Sequence, residues 1–507
     1  AAIATTLALT VLEPESTGIG GGGFLLEAGP KGQLSSIDGR EEAPAAARAD
    51  WFVKDGKVLG FRDAVLGGRS VGVPGLLRLM ELAHKKHGKL AWSVLFQPAI
   101  RMARDGFPMS DRLHGALSIF QASAVFDPAS RALYFDPAGQ PLAAGTIIRN
   151  PALAKLMQDL AKRGAAAYYT GPHARAIVAA VNGASRNPAP MTMADLAQYK
   201  AKIRAPICGK YRQYRICSMA PPASGAITLL QILGQLERFD LAKGGAQSPL
   251  NWHLFAESTR LAFADRGQYI GDLDYVSVPI TGLIAPDYIA ARSALISDDK
   301  TMENAPAGNP TGAKPSANAQ PSDEHGTSHV SAADRFGHVA SFTSTIESGF
   351  GSGLVVDGTY LNNELTDFDL DPPSAGQSTA NQIAAHKRPR SAMTPVVAYG
   401  PDGHIAFVIG AGGGATIVVQ VAKAIIGVVD WGLSFDQAIA LPLVFAPTTT
   451  VMLEQGTSAE MLAPALTTLG HTARPMGMRL KANAAYWDGK VWQGAADQRS
   501  EGVTVKE

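Results

Sequence analysis

The sequence predicts a fold of mixed α and β structure, of the α+β kind, on three observations. Between residues 70 and 300 apolar side chains recur at helical spacing in several stretches. Beyond residue 327 short β-prone runs broken by Asp-Gly turns take over. A polar, proline-rich stretch at 303–326 separates the two regimes. The 507 residues have room for two to four average domains, yet the 46% of apolar residues are spread evenly and the stretch at 303–326 is the one clear shift in composition. A formal charge of +1 with 18% charged residues gives no reason to expect nucleic acid or an anionic membrane as partner. No run of 18 apolar residues marks a membrane span, and two cysteines exclude a disulfide framework or a four-cysteine metal site.

Taken in order, residues 1–12 read as a small-residue helix that Glu13-Pro14 ends. The glycine run from Gly20 to Gly23 lacks the Lys-Ser/Thr of a P-loop and the spaced glycines of a dinucleotide site. It reads as a tight backbone crossing beside a packed sheet. Strand-like residues 24–27 and 34–37 deliver Arg40, whose bland reading is a surface charge. Helical spacing at 77–84 and 90–104, at Ile227, Leu230, Leu233 and Leu236, and along Trp252, Phe255, Ala256, Thr259 and Phe263 to an end near Gly267 marks scaffold. Cys208 and Cys217 flank a hairpin-like segment, compatible with one local disulfide or with two free thiols. Helices are expected again at 418–431 and 461–469, and turns at Asp402-Gly403 and Asp488-Gly489.

Residues 303–326 have no hydrophobic period and form a loop, after which a strand pair at 330–334 and 339–345 is joined by a tight turn. Thr327 therefore sits where an exposed loop enters a sheet. Its bland reading is a β-branched residue starting a strand. The sharper reading is a chain cut between Gly326 and Thr327, which leaves an α-amine beside the threonine's own hydroxyl. With a pKa of about 7.7–8.0 that amine can accept the hydroxyl proton at neutral pH. His325 and His329 have the spacing of a helical metal pair, but loop and strand, not helix, surround them, so no metal is expected.

Five blocks carry a resemblance: Thr327-Ser328-His329-Val330-Ser331, Thr345-Ile346-Glu347-Ser348-Gly349-Phe350-Gly351, Leu361-Asn362-Asn363-Glu364-Leu365-Thr366-Asp367-Phe368, Lys387-Arg388-Pro389-Arg390-Ser391 and Gly410-Ala411-Gly412-Gly413-Gly414. In order and spacing the chain resembles the γ-glutamyltranspeptidase family of N-terminal-nucleophile hydrolases, from Ala1 to its end. The resemblance implies a four-layer αββα sandwich, one intertwined fold from two autoprocessed subunits: residues 1–326 and residues 327–507. It implies a self-cleaving γ-glutamyltransferase and glutathione hydrolase that forms a γ-glutamyl-Thr327 acyl-enzyme and passes the acyl group to water or an acceptor amine.

The same resemblance assigns roles. Thr345 poises the nucleophile, and Gly413 and Gly414 offer backbone N–H groups to the oxyanion. Arg40 and Ser391 meet the substrate α-carboxylate, and Asp367, with Glu347 and Glu364 nearby, meets its α-ammonium. No cofactor is implied. The partners are γ-glutamyl substrates such as glutathione, amino-acid or peptide acceptors, and the other subunit of the same precursor; the compartment is periplasmic or extracellular. Two departures stand out: Ala392 follows Ser391 where the family commonly has a second serine, and the stretch from Asp367 to Lys387 is short with no aromatic after Phe368, which suggests an open acyl pocket. They keep a cephalosporin (glutaryl-type) acylase in view, and an unprocessed, inactive binder of γ-glutamyl peptides is a separate alternative.

Overall fold

The fold, seen in a computed structural model that describes residues 1–314, 326–373 and 377–506, is built on two facing antiparallel sheets. Helix α1 (Ala2–Leu12) ends at Glu13, as its sequence requires, and leads into strands β1 (Gly22–Ala28) and β2 (Leu34–Gly39). Helix α2 (Leu76–His87) follows, and a helical region brings the chain to β3 (Lys202–Arg204) and the hairpin β4 (Ile207–Tyr211) and β5 (Tyr214–Ser218). Helices α3 (Gly225–Leu236) and α4 (Pro249–Tyr269) come next. Past the loop lie β6 (Ser328–Ala333), β7 (Val339–Thr345), β8 (Val396–Tyr399), β9 (Ile405–Gly412), helix α5 (Ile417–Val429), β10 (Lys481–Trp487) and β11 (Trp492–Ala496).

The first sheet has the order β6-β7-β1-β2-β3, the second β11-β10-β9-β8-β5-β4. Strands β6 and β7 of the first face β9 and β10 of the second, α1 and α2 cover the outer side of the first, and α3 and α5 that of the second. This is the αββα layering the resemblance implies. Strand β1 shows why it forms: Phe24 and Leu26 point into the core between and beyond the sheets, while Leu25 points into the core under α1 and α2. A strand buried on both faces must be apolar at successive positions.

Both sheets and both cores combine residues from either side of position 326. The first sheet places β6 and β7 beside β1, and the second places β8 beside β5. The glycine run is the crossing that was expected, since a Cβ on Gly21 would overlap the carbonyl oxygen of Thr345. Two readings needed adjustment. Helix α4 continues through Gly267 to Tyr269, and it is buried nearly all round rather than along one stripe. Its buried polar residues are paired: Arg260 with Glu257 at 2.6 Å, and Asp265 with Gln231 at 2.9 Å. The open question about the cysteines resolves to a disulfide, Cys208 and Cys217 being direct cross-strand partners in the β4–β5 hairpin.

Candidate active site

Antiparallel pairing of β6 with β7 sets Ser328 opposite Ser344, so the residue before β6 lies beside the residue that ends β7. Those residues are Thr327 and Thr345, and the Thr327 hydroxyl reaches the Thr345 hydroxyl at 3.4 Å. Thr345 Oγ1 also accepts from the backbone N–H of Glu347 at 2.8 Å. Thr327 has φ +133° and Glu347 has φ +76°. A β-branched residue in that region is strained by roughly 1–3 kcal/mol, which persists where the surrounding structure imposes it and marks functional sites more often than scaffold. Gly326 is required by the same crowding, since a Cβ there would overlap the Glu347 carbonyl oxygen.

A small pocket opens beside Thr327. It brings together Thr327, Thr345, Arg40, Glu347, Glu364, Asp367, Ser391 and Gly414, every one of these side-chain-bearing residues no more than 5% exposed. Gly413 lies one residue behind the lining. Gly413 has φ +123° and Gly414 φ +61°, a path open to glycine, and it turns the chain from β9 into α5, whose first residue, Ile417, lines the pocket.

Arg40 is the electrostatic centre. Its guanidinium bonds to the carboxylates of Glu364 and Asp367, and it donates to the carbonyls of Pro389 at 3.2 Å and Arg390 at 2.9 Å. The sequence reading gave Arg40 and Asp367 separate ligand groups; here they bond to each other, as opposite charges brought together away from water must. The basic run at 387–390 is thereby explained by its backbone, which grips Arg40, while its side chains turn away from the pocket: Arg388 to Asp38 at 2.7 Å and Glu42 at 2.6 Å, Arg390 to the carbonyl of Arg266 at 3.3 Å. Ser391 is fixed by its backbone too, donating to Pro222 O at 2.9 Å and accepting at 2.7 Å from both the N–H and the hydroxyl of Ser224. Ala392 is fully buried.

Two carboxyls missed or underweighted in the sequence complete the site. Burial pushes Glu41 up to about 7 against the pull of Arg40. Burial, followed by the negative charges of Asp367 and Glu364, pushes Glu347 well above the usual carboxylate range, although Ser348 donates to it at 2.5 Å and Asn363 donates as well. Asn381 was not foreseen: it donates to Asp367 O at 2.6 Å and accepts from Arg390 N at 2.8 Å, so it closes the base of the short segment after Asp367 onto the site. His329 lies on a strand, its nitrogens bonded to Thr343 at 2.8 Å and Ser331 at 3.1 Å, while His325 lies outside the described residues.

A threonine at the head of an edge strand, in one of two facing sheets held between helical layers, fits the N-terminal-nucleophile hydrolase class. A sequence model described as Gamma-glutamyltranspeptidase matches residues 1–506, and the chain belongs to that family of enzymes. It is 36% identical to the glutathione hydrolase proenzyme of Bacillus subtilis (strain 168), over 100% of this chain and 86% of that protein. It is 33% identical to the Acylase ACY 1 proenzyme of Pseudomonas sp. (strain V22), over 100% of this chain and 88% of that protein. The crystal structure of a cephalosporin acylase from Bacillus halodurans has the same fold, with a TM-score of 0.85 at 24% identity over 99% of this chain and 90% of that one.

Proposed function

We propose that the protein is a self-cleaving γ-glutamyltransferase and glutathione hydrolase whose nucleophile is Thr327. Cleavage of the 326–327 peptide bond yields subunits 1–326 and 327–507 and frees the Thr327 α-amine. That amine takes the proton of the Thr327 hydroxyl as Oγ1 bonds to the substrate's γ-carbonyl carbon. The N–H groups of Gly413 and Gly414 hold the oxyanion, one such donor being worth roughly a hundred- to thousandfold in rate. Collapse breaks the C–N bond, and the α-ammonium gives its proton to the departing amine. Water or an acceptor amine then attacks the ester carbonyl, returns a proton to the α-amine, and releases Thr327. Thr345, through its hydroxyl, orients the nucleophile.

The observation that carries this reading is the cluster of Arg40, Glu364 and Asp367 in the pocket of Thr327. A γ-glutamyl group ends in a carboxylate and an ammonium. Such a ligand exchanges the internal pairs of Arg40 for two external ones, carboxylate on Arg40 and Ser391, ammonium on Asp367 with Glu364 and Glu347 beside it. A glutaryl group, lacking the ammonium, would leave the acidic residues uncompensated. The proenzyme names of the relatives and the shared sheets and cores support the pairing of two subunits. The disulfide supports a periplasmic or extracellular site, an oxidising compartment, and no helix of the described residues is long and apolar enough to cross a membrane.

The second reading, a glutaryl-type acylase, is favoured by Ala392 and by the 33% identity to the Acylase ACY 1 proenzyme. One experiment separates them all. Denaturing intact mass is measured for wild type and Thr327→Ala, and the cleaved protein is assayed on γ-glutamyl and glutaryl anilides. Two fragments meeting at Gly326 and Thr327, absent from the variant, with turnover of the γ-glutamyl anilide, are expected. Turnover of the glutaryl anilide alone selects the acylase, and a single uncut, inactive chain in both samples rejects both enzymes.

A further inference from the structure

Next to Thr327 lies a largely buried polar chain that the proposed reaction does not use. Its first member is Ser328, the residue after the nucleophile, fully enclosed. The Ser328 hydroxyl donates to Glu13 Oε2 at 2.5 Å and accepts from Lys481 Nζ at 2.9 Å, and Lys481 is itself ion-paired to Glu13 Oε2. Glu13 caps α1, and Lys481 opens β10 directly across from Gly412 at the end of β9. The three groups therefore join α1, the nucleophile's strand and the inner sheet at one point.

From Lys481 the chain runs on to the glycines. The Lys481 N–H donates to Gln420 Oε1 at 3.0 Å. Gln420 Nε2 donates to Gly412 O at 2.8 Å and to Thr416 Oγ1 at 3.0 Å, and Thr416 Oγ1 donates to Gly413 O at 2.8 Å. Gly412 is also the residue pressed against Thr327, since a Cβ on it would overlap the Thr327 carbonyl oxygen. Nucleophile and glycine turn thus share one continuous brace, and a fixed distance between them is what attack at a carbonyl needs.

The Ser328 hydroxyl is placed to donate to Glu13 and to accept from Lys481, the contacts an ionised Glu13 and a protonated Lys481 offer it. Burial raises the Glu13 carboxyl, but Lys481 overrides it and holds the group below the usual range. Burial pulls Lys481 down while Glu13 opposes. Half of this pair alone would be an uncompensated buried charge, so the pair is kept or lost together.

We infer that Glu13, Ser328, Lys481 and Gln420 are positioning residues that hold Thr327 and the Gly412–Gly414 turn at a fixed separation, and so set kcat without touching substrate. The inference rests on Thr327 being the nucleophile. A misplacement of about 1 Å at a reacting atom costs on the order of a hundredfold in rate. Ser328→Ala leaves the Glu13–Lys481 pair intact and removes the tie to Thr327. Gln420→Leu removes the tie to the glycines. Both are compared with wild type, Thr327→Ala and the double variant Glu13→Gln/Lys481→Met, which removes both charges together. Each is assayed on a γ-glutamyl anilide, with rates divided by the concentration of cleaved chain from intact mass, and each is melted.

The expected result is a ten- to hundredfold lower kcat per cleaved chain in Ser328→Ala and Gln420→Leu, with KM within about twofold and melting close to wild type. Wild-type kcat in both single variants overturns the inference while leaving Thr327 as nucleophile. So does a loss that appears in KM, or one that follows the melting temperature across the set. Wild-type protein as inactive as Thr327→Ala overturns instead the nucleophile assignment on which the inference depends.

Discussion

At the scale of single residues, the site is a balance of one guanidinium against several carboxyls, and substitutions should report which ligand group each one serves. Asp367→Asn keeps the shape and removes the charge that would meet an ammonium. Hydrogen bonds to charged groups contribute about 1.5–3 kcal/mol, so KM for a γ-glutamyl anilide should rise about ten- to a hundredfold, with little change for a glutaryl anilide. Equal effects on both substrates would show that Asp367 serves Arg40 alone. His329 offers a second reading of the site's environment, through pH. Burial lowers its imidazolium to about 3, against about 6.5 in the unfolded chain. The unfolded state therefore binds the extra proton first. The contribution of His329 is complete above about pH 6.5 and is lost progressively as pH falls towards 3, by an amount on the order of a few kcal/mol. His329→Gln, whose amide can bond to Thr343 and Ser331 without titrating, should show a shallower fall of melting temperature between pH 7 and 4.5 than wild type. Parallel curves would exclude His329 as a source of acid sensitivity.

At the scale of elements, function sits where strands end. Thr327, Thr345 and the glycine turn are strand termini brought to one edge by the β6–β7 and β9–β10 pairings. Gly412 is one of the tight junctions there. Gly412→Ala would force its new methyl into the Thr327 carbonyl oxygen and move either Thr327 or β9. Activity per folded molecule should fall at least a hundredfold; a variant with near-normal turnover would show that the junction relaxes freely. The β4–β5 hairpin is the opposite case. It lies at the far edge of its sheet, separated from β9 by β8, and its disulfide closes a short loop. Cys208→Ser/Cys217→Ser should destabilise by no more than about 2–3 kcal/mol and leave kcat and KM unchanged, as urea unfolding and steady-state kinetics can check.

At the scale of the whole molecule, the two stretches flanking position 326 cannot part without undoing both sheets. Strand β7 lies between β6 and β1, β8 lies between β9 and β5, and each core contains side chains of both stretches. A chain cut at 326–327 should therefore run as one particle of the uncut size in native gel filtration and as two fragments under denaturing conditions. Separation of the fragments under native conditions would contradict the interleaved architecture.

The sequence alone determined most of the elements and named the residues proposed for the site. Spacing located α1, α2, α3 and the β6–β7 pair because helix and strand periods are local properties. Five motif blocks contain Thr327, Thr345, Glu347, Glu364, Asp367, Ser391, Gly413 and Gly414, and the family resemblance they carry added Arg40 at the end of β2. Tertiary structure alone decided what those residues meet. Arg40 is bonded to Glu364 and Asp367, more than 320 positions away, and no periodicity records such a pairing. Cys208 and Cys217 form a bond only because β4 and β5 are in register. Asn381, Glu13, Lys481 and Gln420 look like ordinary polar residues along the chain; their importance comes from burial, which makes every unpaired polar group costly and so forces each to find a distant partner.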